Sequence, residues 1–139
     1  MKKELQEKLF EKYPKLFRQK DLSIQQSCMP RGIEIEGDGW YWLLDKLCER
    51  IQFCIDWNHL EQIEFVQVKE ELGKLRIYTN HDNERIDGMI SFACHLSFCT
   101  CERCGSTENV DQTSKTTAER IITLCAKCKV IYNEERGRA

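Results

Sequence analysis

Four cysteines in the last third of the chain carry its most specific chemistry. Cys101-Glu102-Arg103-Cys104 and Cys125-Ala126-Lys127-Cys128 form two CxxC pairs separated by the 20 residues 105–124. A CxxC turn brings two sulfurs onto one ion, and four thiolates satisfy the tetrahedral preference of Zn²⁺. Gly105, directly after the first pair, lets the backbone bend where a side chain would clash. Two disulfides, buried thiols or a redox CxxC are the other readings of such pairs. One structural Zn²⁺ explains two pairs at this distance more simply. Four cysteines close the coordination sphere and leave no position for substrate or water, so the pattern points to shape rather than reaction. Binding of the ion is then also folding, on the order of 10–16 kcal/mol in zinc-finger peptides. That free energy matters because residues 106–119 contain only Val110 and Ala118 as apolar residues.

The elements that must position these ligands follow from the pattern upstream. Leu5, Leu9, Phe10 and Tyr13 recur at helical spacing, so residues 3–13 are expected to form an amphipathic helix ended by Pro14. Ile33-Glu34-Ile35-Glu36 alternates like a short strand, and Gly37-Asp38-Gly39 turns the chain, with Asp38 placed to cap the next helix. Trp40, Leu43, Leu44, Leu47, Ile51, Cys54 and Ile55 mark a central helix over 39–58 whose stripe should be the middle of the core, with Cys48 and Cys54 as small hydrophobes. A β-hairpin is expected over 62–79, with residues 70–74 as its loop and Gly73 supplying positive φ. Asn80 to Asn83 offer caps for a further helix over 83–98, with Ile86, Met89, Ile90, Ala93, Leu96 and Ser97 on its inner face. Val130, Ile131 and Tyr132 are apolar enough to dock, and residues 133–139 read as a charged, frayed tail. The expected fold is α+β: a small helical and β-hairpin core over 1–99 with a C-terminal four-cysteine zinc ribbon over 100–139.

Composition bounds the partners. The chain has 139 residues, 41% hydrophobic and 32% charged, with a net charge of −2. That is the profile of one soluble domain, and no apolar run is long enough to span a membrane. The first 20 residues are net basic and residues 21–99 clearly acidic, with no overall basic field of the kind that grips nucleic acid. Nine cysteines, an odd number, without a secretory h-region imply a reducing cytoplasm. Lys2, Lys3, Lys8, Lys12, Lys15, Arg18 and Lys20 are interleaved with Glu4, Glu7 and Glu11, which reads as a solvated helix face more than a phosphate-contacting arm.

Other groups could form sites. Glu34, Glu36 and Asp38 fall on one side if the strand continues; alternation accounts for them as solvent-facing acids, and as a surface they suit a basic partner. Trp40-Tyr41-Trp42 places aromatics on more than one side, so Trp40 and Trp42 join those acids as candidate partner-binding residues. Cys94, His95 and Cys99 lie close enough to the first pair to suggest a second metal, with helix packing as the simpler reading. His59 and His81 are isolated.

Several stretches together resemble a family of small, uncharacterised zinc-ribbon proteins encoded by bacteriophages and prophages. They are Tyr13-Pro14-Lys15-Leu16-Phe17, Gly32-Ile33-Glu34 with Gly37-Asp38-Gly39-Trp40, residues 66–78 from Val66 to Tyr78, Cys101-Glu102-Arg103-Cys104-Gly105 and Thr123-Leu124-Cys125-Ala126-Lys127-Cys128. Lys74-Leu75 after the hairpin glycine departs from the aromatic expected there. The resemblance implies phage origin, residence in a host cytoplasm and the same four zinc ligands, and it supplies no activity.

Three functions follow. The first is a non-catalytic binding protein that occupies, and so inhibits, a host, phage or defence complex, its acidic middle meeting a basic surface. The second is a nucleic-acid-binding regulator using Lys115, Arg120, Lys127, Lys129, Arg136 and Arg138 of the ribbon, opposed by Glu119, Glu134 and Glu135, or using the N-terminal helix. The third is a degenerate HNH-type nuclease, since some of those hold their active site between two CxxC pairs. Such an enzyme needs a water-activating histidine there, and no His lies beyond His95; Asp111 is followed by Gln112 and Cys128 by Lys129. The first, with no catalysis, is the expectation.

Overall fold

Helix α2, Tyr41–Asn58, is the axis of the larger core. Its Leu43, Leu44, Leu47, Cys48, Ile51, Cys54 and Ile55 are buried on one stripe, as the spacing predicts. The computed structural model describes residues 1–113 and 120–137. Within them lie α1 (Lys3–Lys12), α2, β1 (Phe65–Glu71), β2 (Lys74–Thr79), α3 (Glu84–Ser97), β3 (Val110–Gln112), β4 (Thr123–Cys125) and α4 (Ala126–Glu135). β1–β2 and β3–β4 are two separate antiparallel pairs, so the fold is α+β. No helix among the described residues is long and apolar enough to cross a membrane.

Two clusters of buried residues divide the interior. The larger gathers Leu9, Leu16 and Phe17 from the N-terminal segment, the α2 stripe apart from Cys54, Phe65, Val68 and Leu75 of the hairpin, and Ile86, Ile90 and Ala93 of α3. The smaller consists of Cys101, Ile122, Leu124, Cys125 and Cys128, with Val110 and Tyr132 packed against it.

Several local details differ from the expectation, each for a physical reason. α2 begins at Tyr41 rather than 39, and no side chain caps it; Asp38 instead accepts the Lys2 N–H at 2.8 Å. The hairpin turn is shorter than 70–74: Glu71 pairs with Lys74, and Leu72 and Gly73 make a two-residue turn with φ of 54° and 78°. Both central residues at positive φ match the twist of the strands. β1 starts at Phe65, and an irregularity at Val66 shifts the alternation, so Phe65 and Val68 both face inward three positions apart. Residues 33–36 make one parallel bridge rather than a strand: the Glu34 N–H donates to Val68 O at 2.9 Å, and the Glu70 N–H donates to Glu34 O at 3.1 Å. Ile33 and Ile35 are nonetheless buried while Glu34 and Glu36 face out. Residues 133–135 belong to α4 and are not a frayed tail.

α1 is pinned to α2 through a buried acid. Asp45 accepts from Lys12 Nζ at 2.7 Å and from the Tyr13 hydroxyl at 2.7 Å. Burial would raise the Asp45 carboxyl, but these two hydrogen bonds outweigh it and hold the group below its ordinary value. A group depressed in the folded state contributes stability that is full above its unfolded pKa, about 3.9, and is lost as pH falls through its lower folded value. Acid titration should therefore loosen α1 from α2 below about pH 4. In Asp45→Asn that part of the pH dependence should be missing, as read by circular-dichroism melts between pH 7 and pH 2.

α3 starts as its residues dictate. The Asn83 side chain accepts the N–H groups of Arg85 and Ile86. Near its other end Ser97, fully buried, accepts the Leu75 N–H at 2.9 Å and donates to Cys94 O, tying β2 to the helix.

Candidate metal centre

The chain leaves α3 at Ser97 and turns directly into the first cysteine pair. The Gly105 N–H donates to Cys101 O at 2.9 Å, closing the first CxxC turn, and the Cys101 N–H donates to Ser106 O at 2.8 Å. Gly105 has φ of 82°, the left-handed conformation expected of it. The second pair straddles the end of β4 and the start of α4. Cys125 caps that helix, its sulfur accepting the Cys128 N–H at 3.5 Å. β3 brings Val110 opposite Cys125 and so closes the ribbon.

The Sγ atoms of Cys101, Cys104, Cys125 and Cys128 all lie within 4.8 Å of one another. Cys104 Sγ and Cys125 Sγ are 3.7 Å apart. That is far beyond a disulfide bond of about 2.05 Å. It matches the edge, about 3.8 Å, of a tetrahedron whose metal–sulfur bonds are about 2.3 Å. The four residues therefore fit one metal ion. Cys101, Cys125 and Cys128 are buried and Cys104 is exposed, so the ion would sit at the rim of the smaller cluster. The Cys128 N–H, followed by the neighbouring thiols, draws the Cys125 thiol down to about 7, against the opposing effect of burial. Burial, reinforced by the other sulfurs, pushes Cys128 up. One thiolate forms easily in such a set, and a cation must displace the remaining protons.

The centre is joined to the larger core by a close backbone approach that the sequence does not announce. The Gly39 N–H donates to Glu102 O at 2.7 Å. A Cβ on Gly39 would stand 2.1 Å from Cys101 O, and one on Gly37 would stand 2.2 Å from Glu102 O. The Gly37-Asp38-Gly39 turn is thus the bed on which the first CxxC turn lies. Beside it, the indole N–H of Trp40 donates to Thr100 O at 2.8 Å, and Trp40 is fully buried. Trp40 therefore leaves the expected partner surface: it is a strut between core and ribbon. Trp40→Phe removes that bond and should cost about 2 kcal/mol, read from denaturant unfolding. The ribbon is also held by the Thr123 hydroxyl, which donates to Gly73 O at 2.6 Å.

The remaining expected site residues disperse. Trp42 is exposed. Glu34 accepts from Gln67 Nε2 at 3.1 Å, and Asp38 faces Lys2, so Glu34, Glu36 and Asp38 do not converge. Glu36 pairs with Arg120, which also reaches Glu70 at 2.8 Å and Glu102 at 3.6 Å. Cys94 is buried among the core residues, while His95 and Cys99 are exposed. Among the described residues only the four ribbon cysteines form a group of metal-ligand type. His59 ends α2 in a left-handed conformation, φ 52°.

Glu102, between the first two ligands, is 3% exposed, and its Oε2 has no hydrogen-bond partner among the described residues. Burial, then the nearby Glu70 carboxylate, pushes its carboxyl up to about 7 despite the opposing Arg120. It borders a pocket of 410 Å³ whose wall also contains Glu36, Ile122, Leu124, Tyr132 and Arg136. Sequence reasoning missed this pocket because its wall combines residues 36–37, 102–103, 122–124 and 132–136. No local pattern signals that meeting.

Compared with protein-family models, curated proteins and solved structures, the chain finds no match.

Of the ribbon cations expected to meet nucleic acid, Arg120 is engaged by the carboxylates above and Arg136 lies over the Tyr132 ring at 4.9 Å. Arg103 pairs with Glu135 at 2.6 Å. Lys127 and Lys129 are exposed. Lys115, Glu119 and Arg138 lie outside the described residues.

Proposed function

We propose that this chain is a non-catalytic zinc protein of the kind phages and prophages encode, which binds and inhibits a protein complex in the host cytoplasm. One observation supports the zinc-binding, non-catalytic part of the reading: four sulfurs from one chain within 4.8 Å, a donor set that would fill a tetrahedral ion and leave no open position for substrate. An all-thiolate set of this geometry suits Zn²⁺, and its role is to shape the ribbon. Inhibition then works by occupation. The contact is placed at the 410 Å³ pocket beside the metal, where Glu36 and Glu102 border the apolar surface of Ile122, Leu124 and Tyr132. An apolar side chain from the partner would rest on that surface, with the mixed charges of Glu36, Glu135, Arg103 and Arg136 as its polar rim.

The engaged state of Arg103, Arg120 and Arg136 disfavours the nucleic-acid alternative, because charge spent on internal carboxylates or a ring is weakened toward phosphate. The test is capture from host extract by the wild-type chain and by a Glu36→Lys/Tyr132→Ala variant. The reading expects a protein complex retained by the first and lost by the second, with nuclease treatment making no difference. Retention that nuclease abolishes, and that falls steeply with salt, would move the function to nucleic acid.

A further inference from the structure

The outer face of α2 carries a row of aromatics that neither the four-cysteine centre nor the pocket beside it uses. Trp42 is 68% exposed, Phe53 50% and Trp57 74%. At 3.6 residues per turn, Trp42, Lys46, Glu49, Arg50, Phe53 and Trp57 fall on one stripe about 100° wide. The stripe is already ordered in the single chain. Phe53 and Trp57 are stacked at 5.9 Å, Arg50 lies over the Phe53 ring at 5.1 Å, and Lys46 pairs with Glu49 at 3.0 Å. The Phe53–Trp57 stack is therefore in place before association, which lowers the ordering cost of those two rings.

The stripe is also self-complementary. Trp42 and Trp57 are equidistant from the midpoint between Glu49 and Arg50, and so are Lys46 and Phe53. We propose that two copies of this chain pair through α2, antiparallel, about a twofold axis passing between Glu49 and Arg50. In that arrangement Trp42 meets Trp57 of the second copy, and Lys46 lies over Phe53 of the second copy. Glu49 meets Arg50 of the second copy, and by symmetry every contact occurs twice. A partner surface of one sign would leave Glu49 or the Arg50 and Lys46 pair opposed by like charge; a second copy matches all three.

Size sets the strength. Aromatic side chains bury about 150–250 Å² each. At the stated exposures the three rings contribute roughly 300–500 Å² per copy, and the pair together roughly 600–1,000 Å². That reaches the lower edge of about 1,000 Å² for a specific interface, so the dimer is reversible, with Kd on the order of 10–100 μM.

The test is sedimentation equilibrium of the full chain with zinc and a thiol reductant, up to about 0.5 mM, which spans that Kd. The reductant removes any disulfide through the exposed Cys99 or Cys104. The mass should rise from 16.5 kDa to twice that value with concentration. Glu49→Arg and Arg50→Glu place like charges across the axis, and each should weaken pairing about 10-fold or more. The double variant restores opposite charges and should return Kd to within about 3-fold of wild type. Trp57→Ala should abolish pairing. All three positions are exposed, so melting curves should confirm folded variants. Three results overturn the proposal: a single-chain mass at every concentration, a dimer unmoved by either single charge swap, or a double variant no tighter than the singles.

Discussion

Cys125→Ser is expected to release the metal and unfold the ribbon while the larger core stays folded. The ribbon cannot stand on its own apolar side chains. Of the five residues in its cluster, three are ligands, leaving Ile122 and Leu124, with Val110 and Tyr132 half-buried beside them. Burying such a side chain contributes about 1.5–3 kcal/mol. Fixing the backbone of one residue costs about 1–2 kcal/mol, and the ribbon orders some thirty residues, so apolar burial falls far short. Ion binding of the zinc-finger kind would add on the order of 10 kcal/mol, the largest single contribution open to the ribbon. Hydrogen exchange should show the difference by location. In Cys125→Ser, amides of β3, β4 and α4 should lose protection, whereas those of α2, α3 and the β1–β2 hairpin should keep most of theirs. A strong chelator should do the same to the wild-type chain. Uniform loss across both cores would mean the ribbon is not a separately stabilised unit.

Gly39→Ala carries the second-largest expected effect, with all four ligands intact. The added Cβ would lie 2.1 Å from Cys101 O and 2.6 Å from the Gly105 nitrogen. Both are backbone atoms of the first CxxC turn, so no side chain can rotate away. The Gly39–Glu102 hydrogen bond must open and the ribbon must lift from the core. The expected loss is about 3 kcal/mol, at the upper end of what overpacking costs, because both clashing atoms are backbone. Gly88→Ala is the natural control. Gly88 lies within α3, and nothing stands within 4 Å of an added Cβ. That change should stabilise by about 0.5–1 kcal/mol. Denaturant melts of the two variants should therefore move in opposite directions. Gly39→Ala within a few tenths of a kcal/mol of wild type would show the contact to be loose.

The contrast between these two glycines illustrates what local sequence can reveal. The meeting of the four cysteines was legible because CxxC spacing is itself a local geometry that brings two sulfurs together. The α2 stripe, the hairpin with positive φ at Gly73 and the Asn83 cap were legible for the same reason: each depends on neighbours within a few residues. Gly37 and Gly39 read only as a turn, because the atoms that require them lie more than sixty positions away. Trp40 fits both the α2 stripe and the exposed aromatic group by pattern. Its indole partner, the Thr100 carbonyl, lies 60 positions away in sequence. α4 escaped notice since Val130 and Ile131 are exposed and its inner face is little more than Cys128 and Tyr132. The four-cysteine cluster, rather than an amphipathic stripe, gives that helix its place.

The most direct measurement is elemental analysis combined with thiol counting on the same purified sample under reducing-agent-free conditions. A four-sulfur centre predicts one zinc per chain, and nine titratable thiols once the protein is denatured in chelator. Folded protein with no bound transition metal, or with only five thiols and two disulfides in place of the centre, would contradict it.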